Sequence, residues 1–167
     1  MSNLTKIVFL DRDGVINKLR KDYVKNLSEF EIILNVGKNL AKLSENGFKI
    51  IVITNQSAIN RNLLEEEELK KIHEFMIKEL YKDGCIINRI YYCPHRPDQN
   101  CDCRKPKTLL FKKALNEFSP CDLKNSWVIG DSISDIEAAC SLGIKGIKID
   151  SNQDIQIEID EILSSQQ

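Results

Sequence analysis

Short runs of apolar residues alternate with helical segments along this chain, and the alternation constrains its fold more than any other feature. Residues 7–10 (IVFL), 50–53 (IIVI) and 127–129 (WVI) are continuous apolar runs, rich in β-branched side chains. Runs of this kind are typical of strands that are buried on both faces. Because segments of helical periodicity separate them, the sequence predicts a parallel sheet with helices on both faces.

The predicted secondary structure contains five strands and five helices. The strands cover residues 7–10, 49–53, 88–92, 126–130 and 145–149. The helices cover residues 36–46, 64–82, 107–118, 135–142 and 153–163. A chain of 167 residues with 42% hydrophobic content suits one globular domain with a sizeable core. We therefore expect an α/β fold, a three-layer Rossmann-like parallel sheet, in a single domain over residues 1–167.

The charge balance argues against a nucleic-acid or membrane partner. The chain has 24 basic and 25 acidic residues and a formal net charge of -1, so it lacks the basic surface that attracts either partner. No run approaches the ~20 apolar residues that cross a bilayer. The N-terminus has no signal-peptide pattern, which favours a cytoplasmic location. We expect a monomer that acts on a small molecule.

Polar residues follow four of the predicted strands at their carboxyl ends. Asp11 follows the first strand, Thr54 the second, Cys93 the third and Asp131 the fourth. Right-handed crossovers bring these ends to one edge of a parallel sheet, where ligands bind in open α/β folds. Alone, the turn at residues 11–14 (DRDG) is as typical of a solvated loop as of a site. Four polar clusters at one edge favour a site.

The carboxylates at this edge predict metal-assisted phosphoryl transfer. Asp11, Asp13, Asp131 and Asp135 would repel one another strongly in a small volume. A hard divalent cation such as Mg²⁺ relieves this repulsion, and Lys105 adds a positive charge. A glycosidase needs neither the third acid nor the lysine. Since the chain lacks the glycine-rich phosphate-binding motifs of nucleotide enzymes, the natural alternative is attack of a carboxylate on phosphorus.

A cluster of cysteines predicts a second metal site. Cys93, His95, Cys101 and Cys103 form the pattern C-x-H-x5-C-x-C. Three thiolates and one imidazole suit a closed tetrahedral Zn²⁺ site, and in a cytosolic chain such a cluster indicates metal binding rather than disulfides. With no open coordination position, the zinc would be structural and would hold the adjoining residues 104–105 in register.

Two further features are predicted to be structural. The acidic run at residues 65–68 complements the dipole at the start of a helix rather than binding a metal. His73 lies in the same helix and is predicted to be a surface residue rather than a catalyst.

Together these motifs resemble the haloacid dehalogenase superfamily of phosphatases. Its four motifs occur in order as Asp11-Arg12-Asp13-Gly14, Thr54 after an apolar strand, Lys105, and Gly130-Asp131-Ser132 with Asp135. The resemblance spans Ile7 to about Ile149, nearly the whole chain. It implies a minimal cap, because the short gaps between the motifs leave no room for a large cap domain.

The resemblance implies a role for each motif residue. Asp11 would be the nucleophile that becomes phosphorylated, while Asp13 would protonate the leaving group and then activate water. Thr54 and Lys105 would hold the phosphoryl oxygens. The implied ligands of Mg²⁺ are Asp11, the backbone carbonyl of Asp13, and Asp131, with Asp135 supporting them from outside the coordination shell.

The cysteine loop resembles two branches of this superfamily, the D-glycero-D-manno-heptose 1,7-bisphosphate 7-phosphatases and the histidinol-phosphate phosphatases. Residues 54–57 (TNQS), followed by Arg61, resemble the heptose branch more closely, as do residues 22–24 (DYV). That branch implies removal of the C7 phosphate from a phosphorylated sugar in bacterial surface-sugar synthesis. It also implies a contact between Arg61 and the second phosphate. The other implied substrate contacts are Asn55, Gln56, Ser57, Arg104 and Ser132.

The sequence departs from the heptose branch at three points. Ala58 and Asn62 stand where the branch has glycines, so the backbone of that loop is expected to run differently. The zinc loop is short, which within this branch favours the α anomer at C1. Because both branches share the zinc loop, histidinol phosphate stays open as a substrate. More remote alternatives are a nucleic-acid 3′-phosphatase and a zinc-stabilised binding module without activity.

Overall fold

The computed structural model describes residues 4–166. Five parallel strands form one sheet in the order β3-β2-β1-β4-β5. The strands are β1 (Ile7–Leu10), β2 (Lys49–Asn55), β3 (Ile87–Cys93), β4 (Trp127–Gly130) and β5 (Lys145–Lys148). The helices are α1 (Val36–Glu45), α2 (Glu66–Lys82), α3 (Leu109–Glu117), α4 (Ile133–Leu142) and α5 (Gln156–Ser164). The predicted α/β fold is confirmed.

The sheet is buried on both faces because its central strands are apolar at every position. In β1, Val8 and Leu10 pack into a core with helices α1, α2 and α5, whereas Ile7 and Phe9 pack into a second core with α3 and α4. Phe9 meets Phe111 of α3 edge to face, with ring centroids 5.1 Å apart. All four β1 side chains are at most 1% exposed. The three predicted layers are thus present.

Several elements begin or end at different residues from those predicted. Strand β2 continues to Asn55, because Thr54 and Asn55 pair with the last two residues of β3. Helix α4 begins at Ile133, since Ser132 caps it through a reciprocal pair of hydrogen bonds with Asp135. Helix α5 begins at Gln156, three residues later than predicted, where the amide of Gln156 donates to the side chain of Asp154 at 2.9 Å instead of to a preceding carbonyl.

The strand order fixes where a site can form. Strand β1 lies between β2 and β4, so the segments that follow these three strands converge at the centre of the sheet's carboxyl edge. The turn before α5 reaches the same edge, where the amide of Asn152 donates to the carbonyl of Gly14 at 2.8 Å. In the part of the chain that the structure describes, each helix is too short or too polar to cross a membrane.

Candidate active site

Asp11 and Asp131 lie side by side because they follow neighbouring strands. The amide of Asp11 donates to the carbonyl of Ile129 at 3.1 Å, which continues the β1–β4 pairing to the strand ends. Asp135 joins them from the first turn of α4. Asp11, Asp131 and Asp135 each present a carboxylate oxygen within 4.8 Å of the others. The predicted meeting of these carboxylates at one edge is therefore seen.

Gly14 is required both by the turn after β1 and by the space beside it. Its φ of 84° lies in the left-handed region that side chains disfavour. A Cβ atom at this position would lie 2.1 Å from Oδ2 of Asp131. Asp131 can therefore approach Asp11 only because residue 14 has no side chain.

Lys105 is a buried cation that sits between two of the carboxylates. Its Nζ lies 3.0 Å from Asp11 Oδ1 and 2.6 Å from Asp135 Oδ1, and it donates to the carbonyl of Ile53 at 2.7 Å. Burial by itself would lower the pKa of Lys105, but the charges of Asp11 and Asp135 outweigh burial and raise it. The lysine is thus held charged against the carboxylates.

When ionised, the carboxylates of this cluster carry more negative charge than the single positive charge of Lys105 neutralises. Burial raises the pKa of Asp11 to about 7, with Lys105 opposing the shift and Asp135 and Asp13 adding to it. Burial also raises the pKa of Asp131. A divalent cation beside these oxygens would favour their ionised forms and reverse both shifts. An all-oxygen donor set with this charge fits a hard ion such as Mg²⁺.

Asp13 lies in a different environment from Asp11. Arg12 Nη2 and Asn17 Nδ2 donate to its Oδ1 at 2.9 and 3.0 Å, and Gln56 Nε2 donates to its Oδ2 at 2.7 Å. Burial would raise the pKa of Asp13, but the Arg12 charge and these three hydrogen bonds outweigh it, so the net shift is downward. The pKa values of two carboxylates separated by one residue are thereby shifted in opposite directions, and Asp13 favours its ionised, proton-accepting form.

Two of the predicted substrate contacts already have hydrogen-bond partners for their side chains within the protein, and a third is buried. Asn55 Oδ1 accepts from the Lys105 amide at 3.1 Å, which ties β2 to the segment that carries the lysine. Gln56 is buried, and its Nε2 donates to Asp13 and, at 2.9 Å, to Thr54 Oγ1. Ser57 is also buried. These side chains therefore organise the edge of the site whether or not a substrate is bound.

The other predicted substrate-binding residues also have contacts within the protein. Ser132 Oγ donates to Asp135 Oδ2 at 2.7 Å as part of the α4 cap. Arg104 Nη1 donates to the carbonyl of His95 at 3.3 Å. Arg61 lies over the ring of Tyr23, with its guanidinium carbon 5.8 Å from the ring centroid. Each of these roles toward a substrate remains a prediction.

A cavity of about 180 Å³ opens above the carboxylates. Asp11, Asp13 and Asp131 form part of its wall, and Asn55 and Gln56 form another. The remaining wall comes from the segment after β1, through Leu19, Arg20, Tyr23 and Val24. Tyr23 is held there with a φ of 67°, an uncommon backbone state for an aromatic residue. Loops, and no separate cap domain among residues 4–166, thus border the site.

The predicted zinc ligands come together beyond the end of β3. Sγ of Cys93 lies 3.6 Å from that of Cys101 and 3.2 Å from that of Cys103, and His95 Nδ1 lies 3.2 Å from Cys103 Sγ. A zinc tetrahedron with bonds of about 2.0–2.3 Å has edges of roughly 3.5–3.8 Å. These edges are only slightly longer than the distances between the ligand atoms here. The four ligand atoms all lie within 4.8 Å of one another, so the donor set fits Zn²⁺.

The prediction that His73 is a surface residue is wrong, and two residues that contact the carboxylates, Asn17 and Ser151, were not identified from the sequence. His73 is buried, and its Nε2 lies 3.2 Å from Nη1 of Arg12, whose side chain is fully buried. Asn17 belongs to a segment that was predicted only as a loop. Ser151 Oγ donates to Asp131 Oδ2 at 2.6 Å; since it follows β5, the rule that strand ends share one edge could have identified it.

Comparison with known proteins places this geometry in a family. A family model described as polynucleotide kinase 3 phosphatase matches residues 6–156. D-glycero-beta-D-manno-heptose-1,7-bisphosphate 7-phosphatase of Haemophilus ducreyi is 39% identical over 147 residues, which cover 84% of this chain and 80% of that one. D-glycero-alpha-D-manno-heptose-1,7-bisphosphate 7-phosphatase of Campylobacter jejuni is 39% identical over 140 residues, with coverage of 84% and 79%.

The fold is similar to a solved structure of the same kind of enzyme. The crystal structure of D,D-heptose 1,7-bisphosphate phosphatase from B. bronchiseptica, complexed with magnesium and phosphate, matches with a TM-score of 0.86 and 26% identity. The match covers 96% of this chain and 99% of that one. Because sequence and fold agree over most of both partners, the chain belongs to the haloacid dehalogenase superfamily, in the phosphatase family that contains these heptose bisphosphate phosphatases.

Proposed function

We propose that this protein removes the C7 phosphate of D-glycero-D-manno-heptose 1,7-bisphosphate, as a Mg²⁺-dependent step of surface-sugar synthesis in the cytoplasm. The observation that carries the proposal is the shared identity with heptose bisphosphate phosphatases over more than three quarters of each chain. The carboxylates at the sheet edge support it, because a bound cation would favour the ionised Asp11 that a nucleophile needs, and the lowered pKa of Asp13 suits the base that takes a proton from water.

In the first proposed step, Asp11 attacks phosphorus. A bond forms between its carboxylate oxygen and phosphorus as the ester P–O bond breaks, and the leaving sugar oxygen takes a proton from Asp13. In the second step, Asp13 takes a proton from water while the water oxygen bonds to phosphorus and the bond to Asp11 breaks. Inorganic phosphate leaves and Asp11 is regenerated. Lys105 and Thr54 hold the phosphoryl oxygens during both steps.

Asp11, the backbone carbonyl of Asp13, and Asp131 would hold Mg²⁺, with Asp135 and Ser151 supporting the ligands. When bound, the ion supplies positive charge that offsets the phosphoryl oxygens and the crowded carboxylates. Asp135 already accepts from Lys105 and from the cap of α4, so its fixed position suits a supporting role better than direct ligation.

We further propose a structural Zn²⁺ in the cysteine loop. The loop leads from β3 directly to Arg104 and Lys105, so the ion would hold the catalytic lysine in register. The same loop carries Arg104 toward the substrate. This role requires no open coordination position.

Arg61 supports a bisphosphate substrate. Its guanidinium packs on Tyr23, which lines the cavity above the carboxylates, so a positive charge stands at the rim of the site. A second phosphate on the substrate would meet this charge, whereas histidinol phosphate has no such group. We expect Arg61→Ala to raise KM for the bisphosphate by about 10-fold or more. Arg89→Ala, which removes an equal charge from β3 at a position that does not line this cavity, is the matched control.

The deciding experiment compares kcat/KM for four substrates under one set of conditions. These are the α and β anomers of the heptose 1,7-bisphosphate, histidinol phosphate, and a DNA strand with a 3′-phosphate. We expect one of the two bisphosphate anomers to be hydrolysed at least 100-fold more efficiently than histidinol phosphate. A preference for histidinol phosphate would overturn the proposed substrate. The anomers are compared because the short loop favours α, while relatives of equal identity are named for α and for β.

A 3′-phosphatase acting on nucleic acid is the second candidate, because the matching family model bears that description. A nucleic-acid enzyme needs a basic groove, and its binding weakens steeply with salt. With 24 basic and 25 acidic residues, we expect the DNA substrate to be hydrolysed slowly and without salt dependence. Rapid, salt-sensitive turnover of the DNA would instead favour this candidate.

A further inference from the structure

The fully buried guanidinium of Arg12 connects helix α2 to the carboxylate of Asp13. A charged side chain is rarely buried to this extent unless most of its donors are paired, and among the described residues only Nε of this guanidinium has no acceptor. Arg12 Nη2 donates to Asp13 Oδ1 at 2.9 Å and to Gln56 Oε1 at 3.2 Å, while Nη1 faces His73 Nε2 at 3.2 Å. The guanidinium also lies over the ring of Phe30. Four segments of the chain therefore meet at this one group.

His73 can play only one part in this contact. A guanidinium has donors and no acceptor, so Nε2 of His73 must accept and the ring proton must be on Nδ1. Burial, together with the Arg12 charge, lowers the pKa of His73 to about 3, which keeps the ring neutral and its Nε2 lone pair available. His73 lines a separate groove between α2 and β3, outside the cavity above the carboxylates.

The position of the guanidinium determines how Asp13 is held. Nη2 is shared between Asp13 and Gln56, and Gln56 also donates to Asp13 and Thr54. If Nη1 lost its acceptor, it would join Nε as a second buried donor without a partner, which is costly and favours a guanidinium position in which Nη1 regains an acceptor. A rotation of the guanidinium would then change two of the contacts that fix the carboxylate of Asp13.

We propose that His73 is a positioning residue for Asp13, acting through Arg12 and never touching the substrate. The inference rests on the proposed role of Asp13 as acid and base. A misplaced Asp13 delays proton transfer to the leaving oxygen as the ester P–O bond breaks and the Asp11–phosphorus bond forms. The delay matters most when the leaving group is a poor one that needs the proton, such as a sugar hydroxyl.

The test uses two variants that separate the acceptor from the shape of the ring. His73→Phe keeps an aromatic ring beside Tyr92 but removes the acceptor, and His73→Gln keeps an acceptor. Each is assayed for kcat/KM on the heptose bisphosphate, on phenyl phosphate and on p-nitrophenyl phosphate. For His73→Phe we expect a loss of about 10-fold or more on the sugar substrate and less than about 3-fold on p-nitrophenyl phosphate. His73→Gln should recover most of the loss.

Met76→Leu is the control for repacking of the helix, since Met76 is a buried residue one turn along α2 with no hydrogen bond to the site. It should leave the dependence on leaving group unchanged. A loss by His73→Phe that is equal for all three substrates, or a His73→Gln variant no better than His73→Phe, would show a merely structural role. Unchanged activity in both would also overturn the proposal.

A second measurement is independent of turnover. In a crystal structure of His73→Phe, we expect the Arg12 guanidinium to rotate and at least one of its bonds to Asp13 and Gln56 to break. If both bonds are retained, the proposal is wrong whatever the kinetics. If the wild-type protein hydrolyses phenyl phosphates but not the heptose bisphosphate, the proposed substrate fails while the positioning of Asp13 is still measured on the aryl series and in the crystal.

Discussion

The carboxylate cluster and the cysteine cluster are built in opposite ways. Asp11 and Asp131 come from distant parts of the chain, and the pairing of two central strands brings them together with the buried Lys105. Cys93, His95, Cys101 and Cys103 come from eleven consecutive residues that begin with the last residue of the edge strand β3, and only Cys93 among them is fully buried.

The difference indicates whether the fold stabilises the site or the site stabilises the fold. The rigid sheet holds the carboxylates in place against their mutual repulsion, so the fold stabilises this site. The cysteine loop contains only a short 3-10 turn at Pro97–Gln99, so in our proposal its metal stabilises the fold. Changes at the first site should therefore reduce activity more than stability, and changes at the second should do the reverse.

The largest effect on activity is expected from Asp11→Asn. The amide cannot act as the nucleophile, so kcat should fall by about 10⁴-fold or more. Because the change removes a negative charge from a crowded cluster, the melting temperature should stay equal or rise. Activity assays and thermal unfolding of the same preparation check both outcomes. Residual activity above one per cent would contradict the role of Asp11, and a large loss of stability would contradict the comparison.

The cysteine loop should show the opposite pattern. Cys101→Ser replaces a thiolate ligand, and structural zinc contributes on the order of 10 kcal/mol to folding at small metal sites. We expect the free energy of unfolding to fall by at least about 3 kcal/mol and the zinc content to drop from one equivalent per chain. Cys140→Ser is the matched control, because Cys140 is exposed on α4 and lies outside the cluster. If Cys101→Ser unfolds like the control, the loop needs no metal.

Gly14→Ala tests how tightly the first site is built. The new Cβ would displace Asp131, so kcat should fall by about 100-fold, with about 1 kcal/mol of stability lost to the positive φ. Gly143→Ala is the control, because Gly143 has a φ of 67° but nothing within 4 Å of an added Cβ. It should lose similar stability and keep full activity. Equal activity in the two variants would mean that Asp131 can move freely.

The smallest effect concerns acid stability. His73 has a pKa of about 3 in the folded protein against 6.5 as its ordinary value, so the unfolded chain binds the proton more readily. The free energy of unfolding should therefore fall as pH falls below about 6.5, by about 3 kcal/mol at pH 4.5. In His73→Gln this contribution should be absent. Denaturant unfolding at several pH values separates it from any acid sensitivity of the cysteine loop, which both proteins share.

The sequence predicted the sheet well because the central strands are apolar at every position and need no knowledge of their neighbours. The convergence of Asp11 and Asp131 also followed from one topological rule. The contact between Arg12 and His73 could not be predicted this way. It depends on how α2 is rotated about its axis against the sheet. In addition, the sequence around an arginine between two aspartates is typical of an exposed, solvated turn. The partners of Gln56 could not be predicted either, because a polar residue that follows a strand can contact either a ligand or neighbouring side chains, and the sequence does not distinguish the two.

Because β1 pairs with β4, the two clusters can assemble at different stages of the synthesis of the chain. A nascent chain that has emerged as far as residue 103 carries every sulfur and imidazole of the cysteine cluster. It still lacks β4, with which β1 pairs, and Asp131, which lies beside Asp11 in the complete sheet. All four proposed zinc ligands are therefore present while more than a third of the chain is still to be made, whereas the carboxylate cluster can assemble only after β4 has emerged.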